Sequence, residues 1–189
     1  MPADTPPRHT AQTAVPGAPG RRELLARMIR VDHAGEFGAR RIYEGQMAVL
    51  RHRASAPLIR RMHEQELRHL AAFEKLLVER RVRPTLLQPL WHVAGFALGA
   101  GTALLGERAA MACTVAVETV IDEHYADQAA RLGEDEAALR ATVQEFRADE
   151  IEHRDIGLAH GAEKAPAYPL LSVAIKVGAR AAIWLSERL

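Results

Sequence analysis

Cysteine is nearly missing from this chain of 189 residues, which holds only Cys113. One thiol excludes an internal disulfide, and with it any thiolate-built zinc site or iron–sulfur cluster. Aromatic residues make up 5% and β-branched runs are short, so a sheet has little to build on. Net charge is +1, no nucleic-acid-binding motif is present, and no nucleic-acid partner is expected. Residues 1–20 carry Pro, Thr, Ala and Gly in place of an apolar run, so no secretory signal is expected in them. They read as a disordered tail ahead of a single domain spanning residues 21–189, of cytosolic origin.

What the chain does have is Ala, Leu, Arg and Glu, the residues that favour helix, and the fold class that follows is all-α. Nine histidines among many glutamates offer nitrogen and oxygen ligands, a set suited to iron or manganese.

The apolar period supports this. From about Arg21 to Arg53 one stripe holds Leu25, Met28, Ile29, Asp32, Glu36, Ala39, Tyr43, Met47 and Leu50. Glu36 sits in its middle, flanked by Gly35 and Gly38, which permit close approach of a neighbour or ligand. Ser55 and Pro57 stand where a cap and a first-turn proline open a second helix. Its stripe is Ile59, Met62, Glu66, His69, Phe73, Leu76 and Leu77. A third stripe runs through Leu104, Arg108, Met111, Val115, Glu118, Ile121, Asp122 and Tyr125, with Gly133 as the expected C-cap. The fourth helix starts near Glu134 and turns Leu139, Val143, Phe146, Glu150, His153 and Gly157 inward.

Two stretches are greasier than a soluble bundle needs. No charge occurs between Arg83 and Glu107, although Pro89 and four glycines interrupt the run. It reads as the long crossover of a bundle rather than a membrane span, touching lipid or a hydrophobic substrate, or else buried against the bundle. From Leu170 to Leu189 an apolar helix carries Ser172, Lys176 and Arg180 along one narrow polar line, and it also holds Trp184 and basic residues. That pattern fits a helix lying on a membrane, or one sealing the bundle.

The six stripe-centred ionisable groups form a duplicated plan. Glu36 is followed thirty residues on by Glu66-x-x-His69, and Glu118 is followed thirty-two residues on by Glu150-x-x-His153. Taken singly, Glu36 reads as a salt-bridged stripe-edge glutamate and His69 as a satisfied core histidine. Taken together they would leave an uncompensated anionic cluster in the core, costing on the order of several kcal/mol per ion. Positions i and i+3 share a helix face, so two glutamates and two Glu-x-x-His pairs can enclose two divalent metals between two helical hairpins.

Asp32-His33-Ala34-Gly35-Glu36, with Ile42-Tyr43-Glu44-Gly45-Gln46 after it, resembles the demethoxyubiquinone monooxygenase family of ubiquinone biosynthesis. The likeness continues through Glu66-x-x-His69, Glu118 with His124-Tyr125, and Asp149-Glu150-x-x-His153, from about Leu24 to the C-terminus. It implies a ferritin-like four-helix bundle with a long apolar crossover between helices two and three and an extra C-terminal amphipathic helix. It implies two iron ions per chain on Glu36, Glu66, His69, Glu118, Glu150 and His153, bridged by Glu66 and Glu150. The implied reaction hydroxylates the ring of demethoxyubiquinol with O2 and electrons from NADH or the quinol, His124 and Tyr125 relaying protons or electrons. The implied partners are a polyprenyl quinol and a membrane surface, at the cytoplasmic face of the inner membrane if the source is bacterial. A homo-oligomer, or contacts with other ubiquinone-biosynthesis proteins, are further partners it allows. A ferritin-like iron-handling protein would use the same six ligands, and the two greasy stretches argue against it. A hydroxylase acting on a soluble substrate such as an RNA base is a third reading, and the want of a basic patch counts against that one.

Overall fold

The computed structural model describes residues 20–189, so the tail expected at residues 1–20 lies, Gly20 apart, outside the described residues. Six helices follow in order: α1 Arg21–Leu50, α2 Ala56–Arg80, α3 Gln88–Leu104, α4 Glu107–Arg131, α5 Ala137–Ala159 and α6 Tyr168–Arg188. Two short 3-10 turns, Glu134–Glu136 and Ala162–Lys164, complete the elements, and the described residues contain no strand. The architecture is the all-α bundle that composition and period indicate.

Short turns make α1/α2 and α4/α5 antiparallel hairpins, and the two hairpins face each other as the bundle proper. The chain expected as a crossover is itself a helix. Pro89 is accommodated in the first turn of α3, where its missing N–H leaves no bond unmade. The glycines that weaken the α3 pattern on paper are what let it lie on α1. A Cβ at Gly99 would stand 1.9 Å from the Ile42 carbonyl oxygen, and one at Gly45 of α1 would stand 2.3 Å from the Phe96 carbonyl oxygen. Backbone meets backbone there, and no other residue fits.

Helix α4 is central. From Ala109 to Glu118 each of its residues is buried, because α1, α3, α5 and α6 all pack on it. Two apolar clusters fill the bundle on either side of its midpoint. One contains Met28, Ile29, Phe73, Leu77, Leu139 and Phe146, and the other Leu50, Ile59, Met62, Ala109 and Met111.

Several local expectations are corrected. Leu104 ends α3 and is 75% exposed, and Arg108 points to solvent, so the inner stripe of α4 begins at Ala109. Ser55 occupies the N-cap position of α2 without a side-chain cap; its backbone N–H donates to Glu107 instead, at 3.1 Å. Gly133 is not a left-handed cap: its backbone is extended at φ −83°, and Leu132 breaks α4 by turning extended and entering the core. The acidic start of α5 is a separate 3-10 turn, whose Glu136 takes both Arg80 guanidinium nitrogens at 2.9 and 2.7 Å and so ties α5 to the end of α2. The polar line of α6 starts against the bundle and ends at the surface: Ser172 is buried, Lys176 is half-buried, and Arg180 pairs with Glu123 of α4 at 2.8 Å where both are exposed. Its outer face is apolar.

The α1–α3 contact makes a clean prediction. Gly99→Ala should lower stability by about 1–3 kcal/mol because backbone cannot yield to the new methyl. Gly101→Ala, whose Cβ meets nothing within 4 Å, should gain roughly 0.5–1 kcal/mol from helix propensity. Thermal melts of both variants against the parent check the sign of each.

Candidate metal centre

At the bundle midpoint, between the two apolar clusters, Glu36 of α1, Glu66 and His69 of α2, Glu118 of α4, and Glu150 and His153 of α5 converge. Each is at most 1% exposed. They fall into two overlapping groups whose ligand atoms lie within 4.8 Å of one another: Glu36, Glu66, His69 and Glu150, and then Glu66, Glu118, Glu150 and His153. Glu66 and Glu150 belong to both. His69 Nδ1 is 3.4 Å from Glu36 and 3.2 Å from Glu150; His153 Nδ1 is 3.2 Å from Glu66 and 3.4 Å from Glu150.

Which atoms are spoken for is as informative as which residues are present. The Glu118 carboxylate accepts the Tyr43 hydroxyl at 2.7 Å through Oε1, and Glu36 accepts the Tyr125 hydroxyl through its own Oε1. His69 Nε2 faces Asp149 Oδ2 at 3.0 Å, and His153 Nε2 faces Gln65 Oε1 at 3.1 Å. What remains without a partner is Oε2 of Glu36 and Glu118, both oxygens of Glu66 and Glu150, and Nδ1 of both histidines. Buried polar atoms are rarely left unpaired. Here every unpaired atom of the six belongs to a hard oxygen or imidazole donor set, and the group can hold a metal.

The arrangement has an internal two-fold plan, readable along α1 and α4. Tyr43 lies seven residues after Glu36 and reaches across to Glu118, while Tyr125 lies seven after Glu118 and reaches back to Glu36. Gln46, ten after Glu36, donates to Thr114, four before Glu118, at 3.4 Å. Gln128, ten after Glu118, donates to Asp32, four before Glu36, at 2.6 Å. Motif reading alone left out Gln65, Gln46, Gln128 and the Tyr43 and Asp149 contacts, although these repeated offsets carry the signal.

His124 and Tyr125 separate in role. Tyr125 is buried among the six, whereas His124 sits at the partly exposed rim, its Nε2 3.2 Å from Asp32 and 2.8 Å from the Gln128 amide nitrogen. Burial raises the Asp32 carboxyl, with His124 and Gln128 opposing.

Burial, then repulsion from neighbouring carboxylates, pushes Glu66 and Glu118 well above the ordinary carboxylate range. Burial alone would lower His69, but the Glu150 and Glu36 carboxylates close beside its Nδ1 carry it to about 12, and His153 moves the same way. Burial opposes ionisation of Glu150 too, yet the imidazoles of His153 and His69 close beside it hold it at about 2. A metal must therefore compete with protons for Glu66, Glu118 and both imidazoles. Affinity should fall as pH falls and rise with pH, with net proton release at neutral pH. Titration calorimetry in buffers of different ionisation enthalpy reads that release directly; binding without it would contradict the assignment of protons.

Behind the α1/α4 layer lies a second feature, a cavity of about 550 Å3 between α1, α3, α4 and α6. Gly35, Gly38 and Ala39 line it beside Glu36 in sequence, and Val117 lines it beside Glu118; Leu98, Ile175 and Ile183 form part of the far wall. Nothing lies within 4 Å of a Cβ built at Gly35 or Gly38, so both open onto free space.

Residues 23–186 match the family described as ubiquinone biosynthesis protein COQ7. The chain is 62% identical over 182 residues to the 3-demethoxyubiquinol 3-hydroxylase of Rhodospirillum rubrum, covering 96% of this chain and 86% of that one. It is 56% identical to the mitochondrial NADPH-dependent 3-demethoxyubiquinone 3-hydroxylase of Homo sapiens, covering 89% and 79%. To the mitochondrial 5-demethoxyubiquinone hydroxylase of Saccharomyces cerevisiae it is 44% identical, covering 88% and 78%.

Proposed function

The chain belongs to the COQ7 family of ubiquinone biosynthesis proteins, and from that premise we propose that it hydroxylates the ring of a demethoxyubiquinol with O2 at a pair of iron ions. The observation that carries the reading is the buried set of unpaired oxygens and Nδ1 atoms on Glu36, Glu66, His69, Glu118, Glu150 and His153. Glu66 and Glu150, with both oxygens unpaired and a place in both groups, would contribute to both metal positions. Glu36 with His69 would complete one position, and Glu118 with His153 the other. The iron pair supplies the activation of O2 that ring hydroxylation requires.

The rest falls to the chain. Tyr43 and Tyr125 each hold one oxygen of a terminal glutamate and leave the other facing the site. Asp149 and Gln65 accept the Nε2–H of His69 and His153, which fixes the tautomer that bares Nδ1. The apolar cavity takes the quinol ring against Gly35 and Gly38 and keeps water away from it. His124 and Tyr125, with Asp32 between the rim and Glu36, form the polar route by which protons or electrons reach the centre. The electrons would come from a reduced nicotinamide or from the quinol itself; the printed name of the human relative gives NADPH dependence for that protein.

A polyprenyl tail calls for lipid. Leu90, Val93 and Leu104 of α3 and Leu170, Val173, Val177 and Trp184 of α6 expose their side chains. These two helices also wall the cavity. An apolar face of this kind is suited to a membrane surface, and α6 is also long and apolar enough to cross one by length and composition. Peripheral docking through α3 and α6, on the cytoplasmic face of a bacterial inner membrane, puts the cavity mouth at the lipid. Residues 21–189 act as one domain in this scheme.

Iron-loaded protein should contain about two irons per chain and convert demethoxyubiquinol, with reductant and O2, to a product heavier by one oxygen in mass spectrometry. Glu150→Ala should lose most of the iron, while Gly35→Leu should keep the iron and lose at least tenfold in turnover by filling the cavity. Full turnover in Gly35→Leu would remove the ring from that cavity. Separately, Val173→Asp with Val177→Asp should abolish flotation with liposomes and leave the helical content intact; undiminished flotation would move the membrane contact elsewhere.

A further inference from the structure

We propose that the two metal positions are unequal by construction, the one beside His69 binding its ion more tightly than the one beside His153, because Asp149 backs His69 where Gln65 backs His153. The inference rests on the metal-pair reading above and adds an order to it.

The internal two-fold plan is what makes the comparison meaningful. Gln65 and Asp149 occupy the same place in their respective halves, each directly before the glutamate of its Glu-x-x-His pair, and each meets the histidine of the opposite hairpin. The contacts are nearly equal in length, 3.0 Å for His69 Nε2 to Asp149 and 3.1 Å for His153 Nε2 to Gln65. Geometry therefore does not distinguish them; chemistry does. A carboxylate accepting Nε2–H makes a charge-assisted bond and raises the basicity of Nδ1, the atom that would bind the metal. A neutral amide oxygen holds the same tautomer without adding charge.

A second pair of equivalent places leans the same way. Four residues before Glu36 stands Asp32, and four before Glu118 stands Thr114, each held by its glutamine from the facing helix. An acidic side chain thus backs the Glu36–His69 half at two places, and the Glu118–His153 half at neither. Burial favours the neutral form of Asp32, so Asp149, whose side chain is 28% exposed, carries most of the difference. Arg68 forms a long ion pair of 3.9 Å with the same Asp149 oxygen from the solvent side, where water screens it, and leaves the hydrogen bond to His69 in place. Asp149 and Gln65 are positioning residues: they act through the histidines and touch no metal.

The test is a Co2+ titration of the full-length metal-free protein, followed by calorimetry and visible absorption. The parent should bind two ions in resolved steps separated by roughly 10–100-fold, the range seen when partners of metal-bound histidines are changed. Asp149→Asn keeps an acceptor oxygen and removes only the charge, so it should weaken the first step and close the gap while the melting curve stays in place. Gln65→Glu should close the gap from the other side by strengthening the second step. If Asp149→Asn does not fold, Gln65→Glu decides alone. Two ions bound with equal affinity in the parent, or a gap unchanged in the folded variants, overturns the inequality and leaves the metal pair standing. Fewer than two ions per parent chain overturns both.

Discussion

Four glutamates inside a helical core repel one another, and taking each from water costs on the order of several kcal/mol. The structure is organised around offsetting that one fact. Two histidines stand among the carboxylates, two tyrosines donate to them, and burial pushes Glu66 and Glu118 toward their protonated forms. The atoms still unpaired face each other, which is what a pair of divalent ions would satisfy. Apolar clusters close the bundle above and below, and the ring of His69 stacks on Phe146 with centroids 4.0 Å apart, so the charged centre is walled from water along the bundle axis.

Because the centre is polar and the proposed substrate is not, the fold keeps the two apart until they meet across α1 and α4. One side of that layer presents Glu36 and Glu118. The other presents Gly35, Gly38 and Val117 to an apolar cavity roofed by α3 and α6. The glycine contacts that clamp α3 on α1 set the position of that roof, and the apolar outer faces of α3 and α6 follow from its proposed use at a lipid surface. The proposed polar route lies at a different edge, where His124 meets Asp32. Separate entrances for a greasy ring and for protons suit a hydroxylase better than an iron store, which has no need of the cavity.

Much of this could be read in the chain before any coordinates. The helical period located the bundle helices, and the paired Glu-x-x-His spacing named six residues that the fold does gather, since a stripe-centred residue on an amphipathic helix has nowhere to point but inward. Less legible were features that depend on the partner rather than the pattern. Ser55 looked like a cap, but its N–H is taken by Glu107 from a distant helix. Gly133 looked like a helix stop, whereas Leu132 stops α4 by inserting into the core. The polar line of α6 left open whether the helix lies on a membrane or seals the bundle, and only packing shows Ser172 buried and Arg180 paired with Glu123. The glycines of α3 looked like interruptions until α1 was laid against them. The contacts of Tyr43 and Asp149 with the centre went unread because hydrogen bonds between helices leave only a faint offset in sequence, visible once both halves are aligned.

The central claim is that these six side chains hold two irons, bridged by Glu66 and Glu150. Anomalous diffraction at the iron edge from iron-loaded crystals addresses it most directly. The account predicts two peaks per chain, one beside Nδ1 of His69 and one beside Nδ1 of His153, with the Glu66 and Glu150 carboxylates between them. A single peak, or peaks away from these donors, would contradict it.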